Sequence, residues 1–222
     1  HTCTVDLSRA DTPDKSRYNF YAPFKITGEK TVVTFVTGKE PLNLGNLALF
    51  YVDQDCLNPT VVLDGVNLTS KESTSHQYFY NGEEKTVLTI RYNGECSYPS
   101  FALGGNEKVT FRFEPVDDDS VLNIQKTYAN WGIDAGAGQR VTVELIGGEI
   151  VVTGGNVNVQ GSNTYKEDFD GALLIKGCDL TCASIYAREL TIDNATVVTT
   201  SNSGTNPGIR GGKTYNDKPD KG

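Results

Sequence analysis

His1 and His76 are the two imidazoles in this chain of 222 residues. An amino-terminal histidine offers copper both its amine and its ring, and a second imidazole would complete a set of three nitrogens. His1 and His76 are therefore candidate copper ligands. Against that, Ser73-Thr74-Ser75-His76-Gln77 reads as a polar loop, and a processed or trimmed end accounts for His1 more simply. Carboxylates cluster at Asp53 and Asp55, at Asp117-Asp118-Asp119, and at Asp168 with Asp170. Calcium takes several carboxylate oxygens converging at a turn, so Asp117, Asp118 and Asp119, with Glu114 nearby, form the best candidate calcium site. Their spacing is not that of a calcium-binding loop between helices, and charged turns of an acidic protein are commonly only solvated. Paired carboxyls could also hydrolyse a glycosidic bond, but they must stand about 5–9 Å apart on one face. The chain is short for the groove such an enzyme needs. Scarcity of histidine removes a Ser/His/Asp set. Ala135-Gly136-Ala137-Gly138 lacks the Lys-Ser/Thr and helix start of a phosphate-cradling loop.

Cys3, Cys56, Cys96, Cys178 and Cys182 are the 5 cysteines. Two disulfides and one odd thiol would fit an oxidising compartment, and five free thiols would fit a reducing one. Cys178 and Cys182 lack the second Cys or His pair of a zinc site. Three residues lie between them, so a local bridge across a turn is the preferred pairing, with a second bridge drawn from Cys3, Cys56 and Cys96. Asn67-Leu68-Thr69 and Asn194-Ala195-Thr196 are acceptor triplets for glycosylation, which fits secretion. Tyr78, Phe79, Tyr80 and Tyr92, with the single Trp131, could form a flat platform for sugar rings. The same aromatics could equally stack as a ladder inside a core, and that reading carries more weight.

The elements that would position these groups follow a repeating phrase. A run of β-formers closes on Gly or Asn, a polar gap follows, and the run returns. It appears at Pro59–Thr69, Lys85–Ile90, Lys108–Phe113, Arg140–Gly155, Ala172–Gly177 and Glu189–Val198. Successive copies lie roughly 20–30 residues apart, the spacing of solenoid coils. Val, Thr, Ile, Tyr and Phe dominate the apolar runs, and no window shows helical amphipathicity. A hydrophobic content of 37% is low for a globule but suits a solenoid, whose surface is large for its volume. The chain is expected to be all-β. Residues 1–58 are expected to form an amino-terminal β segment or cap, with room for a sandwich-like part. Residues 59–212 would carry the repeats, and 213–222 a polar tail. The net charge of −8 disfavours nucleic acid and anionic lipid as partners, and no apolar run is long enough to span a bilayer.

Four phrases carry a resemblance. They are Thr60-Val61-Val62-Leu63-Asp64-Gly65-Val66-Asn67-Leu68-Thr69-Ser70, Ile133-Asp134-Ala135-Gly136-Ala137-Gly138, Gly147-Gly148-Glu149-Ile150-Val151-Val152-Thr153-Gly154-Gly155 and Pro207-Gly208-Ile209-Arg210-Gly211-Gly212. Together they resemble the right-handed parallel β-helix repeats of secreted, cell-surface carbohydrate-binding and adhesin-like proteins. The resemblance covers residues 59–212 and implies the fold more than any activity. Some such proteins bind polysaccharide and calcium. The expectation is an extracellular, non-enzymatic β-solenoid with a structural or adhesive role, a filament subunit or a partner of neighbouring cell-surface proteins. A polysaccharide-binding module, assisted by calcium, is the alternative. A copper-dependent polysaccharide monooxygenase using His1 is the second alternative. Each coil leaves backbone groups facing the next, so a terminal coil needs a cap or another subunit, which points to assembly.

Overall fold

The computed structural model describes residues 1–8, 24–44, 49–53, 56–70, 78–80, 82–125, 131–135, 140–159, 171–201 and 208–211. Short runs of β-branched and aromatic residues become strands of two to eight residues, with no helix among the described residues. Three faces wind around one interior. The first face stacks β1 (Thr2–Asp6), β3 (Val32–Val36), β6 (Thr60–Asp64), β9 (Thr86–Asn93), β12 (Val109–Pro115), β15 (Thr142–Ile146), β18 (Ala172–Lys176) and β21 (Glu189–Asp193). The second stacks β4 (Leu42–Asn43) and β7 (Leu68–Thr69). A bridge from Asn67 to Ser97 then leads on to β10 (Glu95–Tyr98), β13 (Val121–Gln125), β16 (Glu149–Thr153), β19 (Asp179–Cys182) and β22 (Thr196–Thr199). The third stacks β2 (Phe24–Ile26), β5 (Phe50–Val52), β8 (Tyr78–Tyr80), β11 (Phe101–Gly105), β14 (Trp131–Asp134), β17 (Asn156–Val159), β20 (Ile185–Ala187) and β23 (Ile209–Gly211).

Every strand pairing among the described residues is parallel, so the protein is a parallel β-solenoid. A sandwich-like beginning is not found. β1 and β3 are rungs of the first face, and β3 pairs with β6 across residue 59 without a break. Alternation of apolar and polar residues in Val32–Val36 reports a strand with one buried face, and it reads alike in a hairpin and in a stack. No two-residue hairpin turn joins these early runs, so each pairs with a coil about one solenoid period away rather than with its neighbour in sequence.

Registration turns the repeat into columns. On the first face, Cys3, Val33, Val61, Ile90, Phe113, Leu145, Ile175 and Ile192 lie one above another. The six between the ends are at most 5% exposed. Aromatics fill the early coils, with Tyr98 stacked on Phe101 at 4.3 Å and Phe101 edge-on to Phe113 at 4.9 Å. The later coils close on aliphatic residues such as Ile150, Val157, Leu173 and Leu180. The first corner is set by backbone conformation. Gly177 has φ +58, and a Cβ there would meet nothing within 4 Å, so the left-handed conformation and not space calls for glycine. One coil on, Asn194 takes that corner with φ 47, as the residue type best able to replace glycine there.

Candidate functional site

The structure scatters most of the candidate chemistry. His1 is exposed, and its carbonyl accepts the Val32 N–H at 2.8 Å, while His76 lies outside the described residues. Asp117, Asp118 and Asp119 are exposed on the turn between β12 and β13, where the Ser120 N–H donates to the Asp117 carbonyl at 3.0 Å. Among the described residues, no group of three or more His, Cys, Asp or Glu side chains is placed to hold a metal ion. Asp55, Asp168 and Asp170 lie outside the described residues.

The disulfide expectation is corrected. All five cysteines are free thiols. Cys178 and Cys182 bracket an extended strand, which carries their Cα atoms roughly 13 Å apart at the rise of a β-strand. A disulfide needs Cα atoms within about 7 Å. Cys56 and Cys96 are spent on different contacts, their Sγ atoms donating to the carbonyls of Gly28 at 2.7 Å and Leu63 at 3.2 Å. Cys3 is the exposed one, on the first rung.

Two of the platform aromatics lie in the core, the reading that carried more weight in the sequence. Tyr80 and Tyr92 are 2% and 0% exposed, inside the core. Their hydroxyls donate to backbone carbonyls, Tyr80 to Glu84 at 2.8 Å and Tyr92 to Gly147 at 3.2 Å, which satisfies a buried phenol without a ligand. Tyr78 lies in β8, and its side chain lies outside what is described, as does Phe79's. Trp131 is half-buried and edge-on to Tyr186, ring centroids 5.5 Å apart. Beside that pair, in one column of the third face, the Asn158 amide donates to Asp134 at 2.9 Å, and the Asn158 Oδ1 is buried without a partner. Of the acceptor triplets, Asn194 is exposed at its corner. Asn67 is half-buried, with its backbone N–H donating to Thr37 Oγ1 at 2.8 Å.

What the structure does assemble is a pair of unfinished rungs. Ile192 stands over Ile175 and Ile209 over Ile185, both in columns that point inward. Ile175 and Ile185 are fully buried, yet Ile192 is 44% and Ile209 45% exposed, because no rung follows them among the described residues. At the other end, Cys3 stands in the column of Val33 and is exposed, and Val5, in the column of Phe35, is only partly covered. Among the described residues, inward columns are therefore left open at both edges of the first face. Sequence reasoning marked the end problem but not these residues. Inward and outward positions in the last run, Glu189-Leu190-Thr191-Ile192-Asp193, look the same as in any buried run.

Charged side chains form rails on the outside. Arg112 Nε donates to Glu144 Oε2 at 2.7 Å, and Lys176 lies 3.4 Å from Asp193, each pair spanning adjacent rungs. Arg91 Nε lies 3.2 Å from Glu114 Oε1 without hydrogen-bonding geometry, so proximity and charge alone hold that pair. Such pairs at a partly exposed surface contribute little stability each. The chain matches no protein-family model, no curated protein and no solved structure.

Proposed function

We propose that this chain is an extracellular, non-enzymatic structural or adhesive β-solenoid that associates end to end into filaments. One observation carries the reading: the inward-pointing Ile192 and Ile209 of the last rung are exposed where their column neighbours are fully buried. Covering each would contribute on the order of 1 kcal/mol from apolar area. An unpaired strand edge adds a row of hydrogen-bonding groups that another strand satisfies. A contact between two different ends does not close on itself, so it propagates into a filament. The exposed acceptor triplet at Asn194 supports a place outside the cell, and the five free thiols, which fit a reducing compartment, weigh against it. Sedimentation velocity and negative-stain microscopy over a concentration series test the reading. Unbranched polymers that lengthen with concentration are expected, and isolated particles throughout would refute it.

A second reading, a polysaccharide-binding module, draws on the half-buried Trp131, which lies edge-on to the buried Tyr186 beside the Asp134–Asn158 pair. Retention of single subunits on immobilised polysaccharide, with or without calcium, separates it from the first.

A further inference from the structure

We infer that the filament joint is a continuation of the first face, with β21 of one copy pairing in parallel with β1 of the next, so that Ile192 lies opposite Cys3. The inference rests on the end-to-end reading and names its contact. Three observations carry it.

The first is column identity. Ile192 and Cys3 are the two ends of one inward column, and β21 and β1 are the two edges of one sheet. Stacking one copy on another without an offset brings those ends together.

The second is hydrogen-bond parity. In a parallel pair, alternate residues of a strand bond to one neighbour and the residues between them bond to the other. On β1, the His1 carbonyl and the Leu7 N–H bond to β3, which assigns the odd residues to that side and turns Thr2 and Thr4 outward. On β21, the Glu189 N–H bonds to Gly171 and the Asp193 carbonyl to Gly177. That assigns the odd residues to β18 and leaves Leu190 and Ile192 for a following rung. With Ile192 opposite Cys3, the Thr2 N–H meets the Leu190 carbonyl, the Ile192 N–H meets the Thr2 carbonyl, and the Thr4 N–H meets the Ile192 carbonyl. The unused groups on the two edges are complementary.

The third is charge. This register sets Thr191 against Thr2 and Asp193 against Thr4. Sliding by two residues would set Asp193, which Lys176 faces at 3.4 Å, against Asp6 and so add a second carboxylate to that column, and like charges directly opposite are destabilising. On the third face the same stacking brings Ile209 over Phe24. There Lys25, which would oppose Arg210, is already paired with Asp53 at 2.7 Å.

Cys3 reports on the joint directly, because the other four cysteines are buried. The full chain is assembled, polymer is separated from free subunits by sedimentation, and both are treated briefly with a maleimide before the labelled cysteine is located by mass spectrometry. Cys3 is expected to react in free subunits and at least about ten-fold more slowly in polymer, as burial behind paired strands demands. Polymers whose Cys3 reacts as fast as in subunits would overturn this joint and leave end-to-end assembly standing. A chain that never polymerises would overturn both. Two variants sharpen the result. Ile192→Asp places a charge where the subunit is already open to water, and Thr4→Pro removes an N–H that β3 does not use, a tolerated change on an edge strand. Both are expected to keep the subunit's β circular dichroism and to lose polymer. Polymer formed normally by either folded variant would overturn the register. Polymerisation that begins only after residues 212–222 are deleted would show that the chain's own end occupies the last rung, and would overturn the second copy as its occupant.

Discussion

Single residues of this solenoid are tuned by burial. Desolvation, aided by the Asp179 and Glu149 charges, pushes the Cys178 thiol from 9.0 up to about 12, and desolvation alone takes Cys182 to about 12. Cys56 rises to about 11, through desolvation and the charge of Asp53. These thiols stay protonated in the fold while the same thiols in the unfolded chain ionise near pH 9. The unfolded chain then binds fewer protons, so stability is whole below pH 9 and falls as pH climbs towards 12. Each such thiol contributes a slope of roughly 1.4 kcal/mol per pH unit in that window. Urea melts at pH 8, 9.5 and 10.5 check this. A flat midpoint would mean that the thiols are not buried in the fold. Sequence showed which residues were cysteines but not their state. The spacing Cys178–Cys182 is compatible with a turn or a strand, and only the strand forbids the bridge. The aromatics show the converse. The core reading of Tyr80 and Tyr92 was legible, and for Tyr92 its place in the alternating run Thr86–Asn93 is what points it inward.

At the scale of elements, a strand's worth depends on the rung that follows it. Ile175 and Ile192 have the same type, the same column and neighbouring rungs, yet one is fully buried and the other 44% exposed. Ile175→Ala is expected to cost about 2–5 kcal/mol of subunit stability, the range for emptying a packed aliphatic site. Ile192→Ala should cost about 1 kcal/mol or less, because part of its surface is already in water. Chemical denaturation of the two variants as single subunits decides this, and equal losses would mean that the last rung is covered. The repeating phrase made the strands, their Gly and Asn corners and the parallel stack legible, because a strand of five β-formers closed by a left-handed residue has few other ways to bury one face. The start of the stack was not legible. Thr2–Asp6 and Phe24–Ile26 are too short and too mixed to show a period, and only pairing with the next coil makes them rungs.

For the whole molecule, the consequence is translational. Eight rungs on the first face end in edges with complementary unused groups, so the coil-to-coil step inside the chain can also be the step between chains. Subunits of net charge −8 repel one another, which favours assembly at physiological salt, where repulsion between surface charges is screened beyond about 8 Å. The parallel stack is also why the acids among the described residues are not gathered into one group. Neighbouring residues on a rung point to opposite faces, and each outward column offers one side chain per coil. Fibre diffraction from aligned polymer tests the central claim most directly. Parallel strands stacked along the fibre give a meridional reflection at about 4.8 Å, and eight rungs per subunit give an axial repeat of about 38 Å. A reflection at that strand spacing lying across the fibre axis, or a subunit repeat unrelated to eight rungs, would contradict the account.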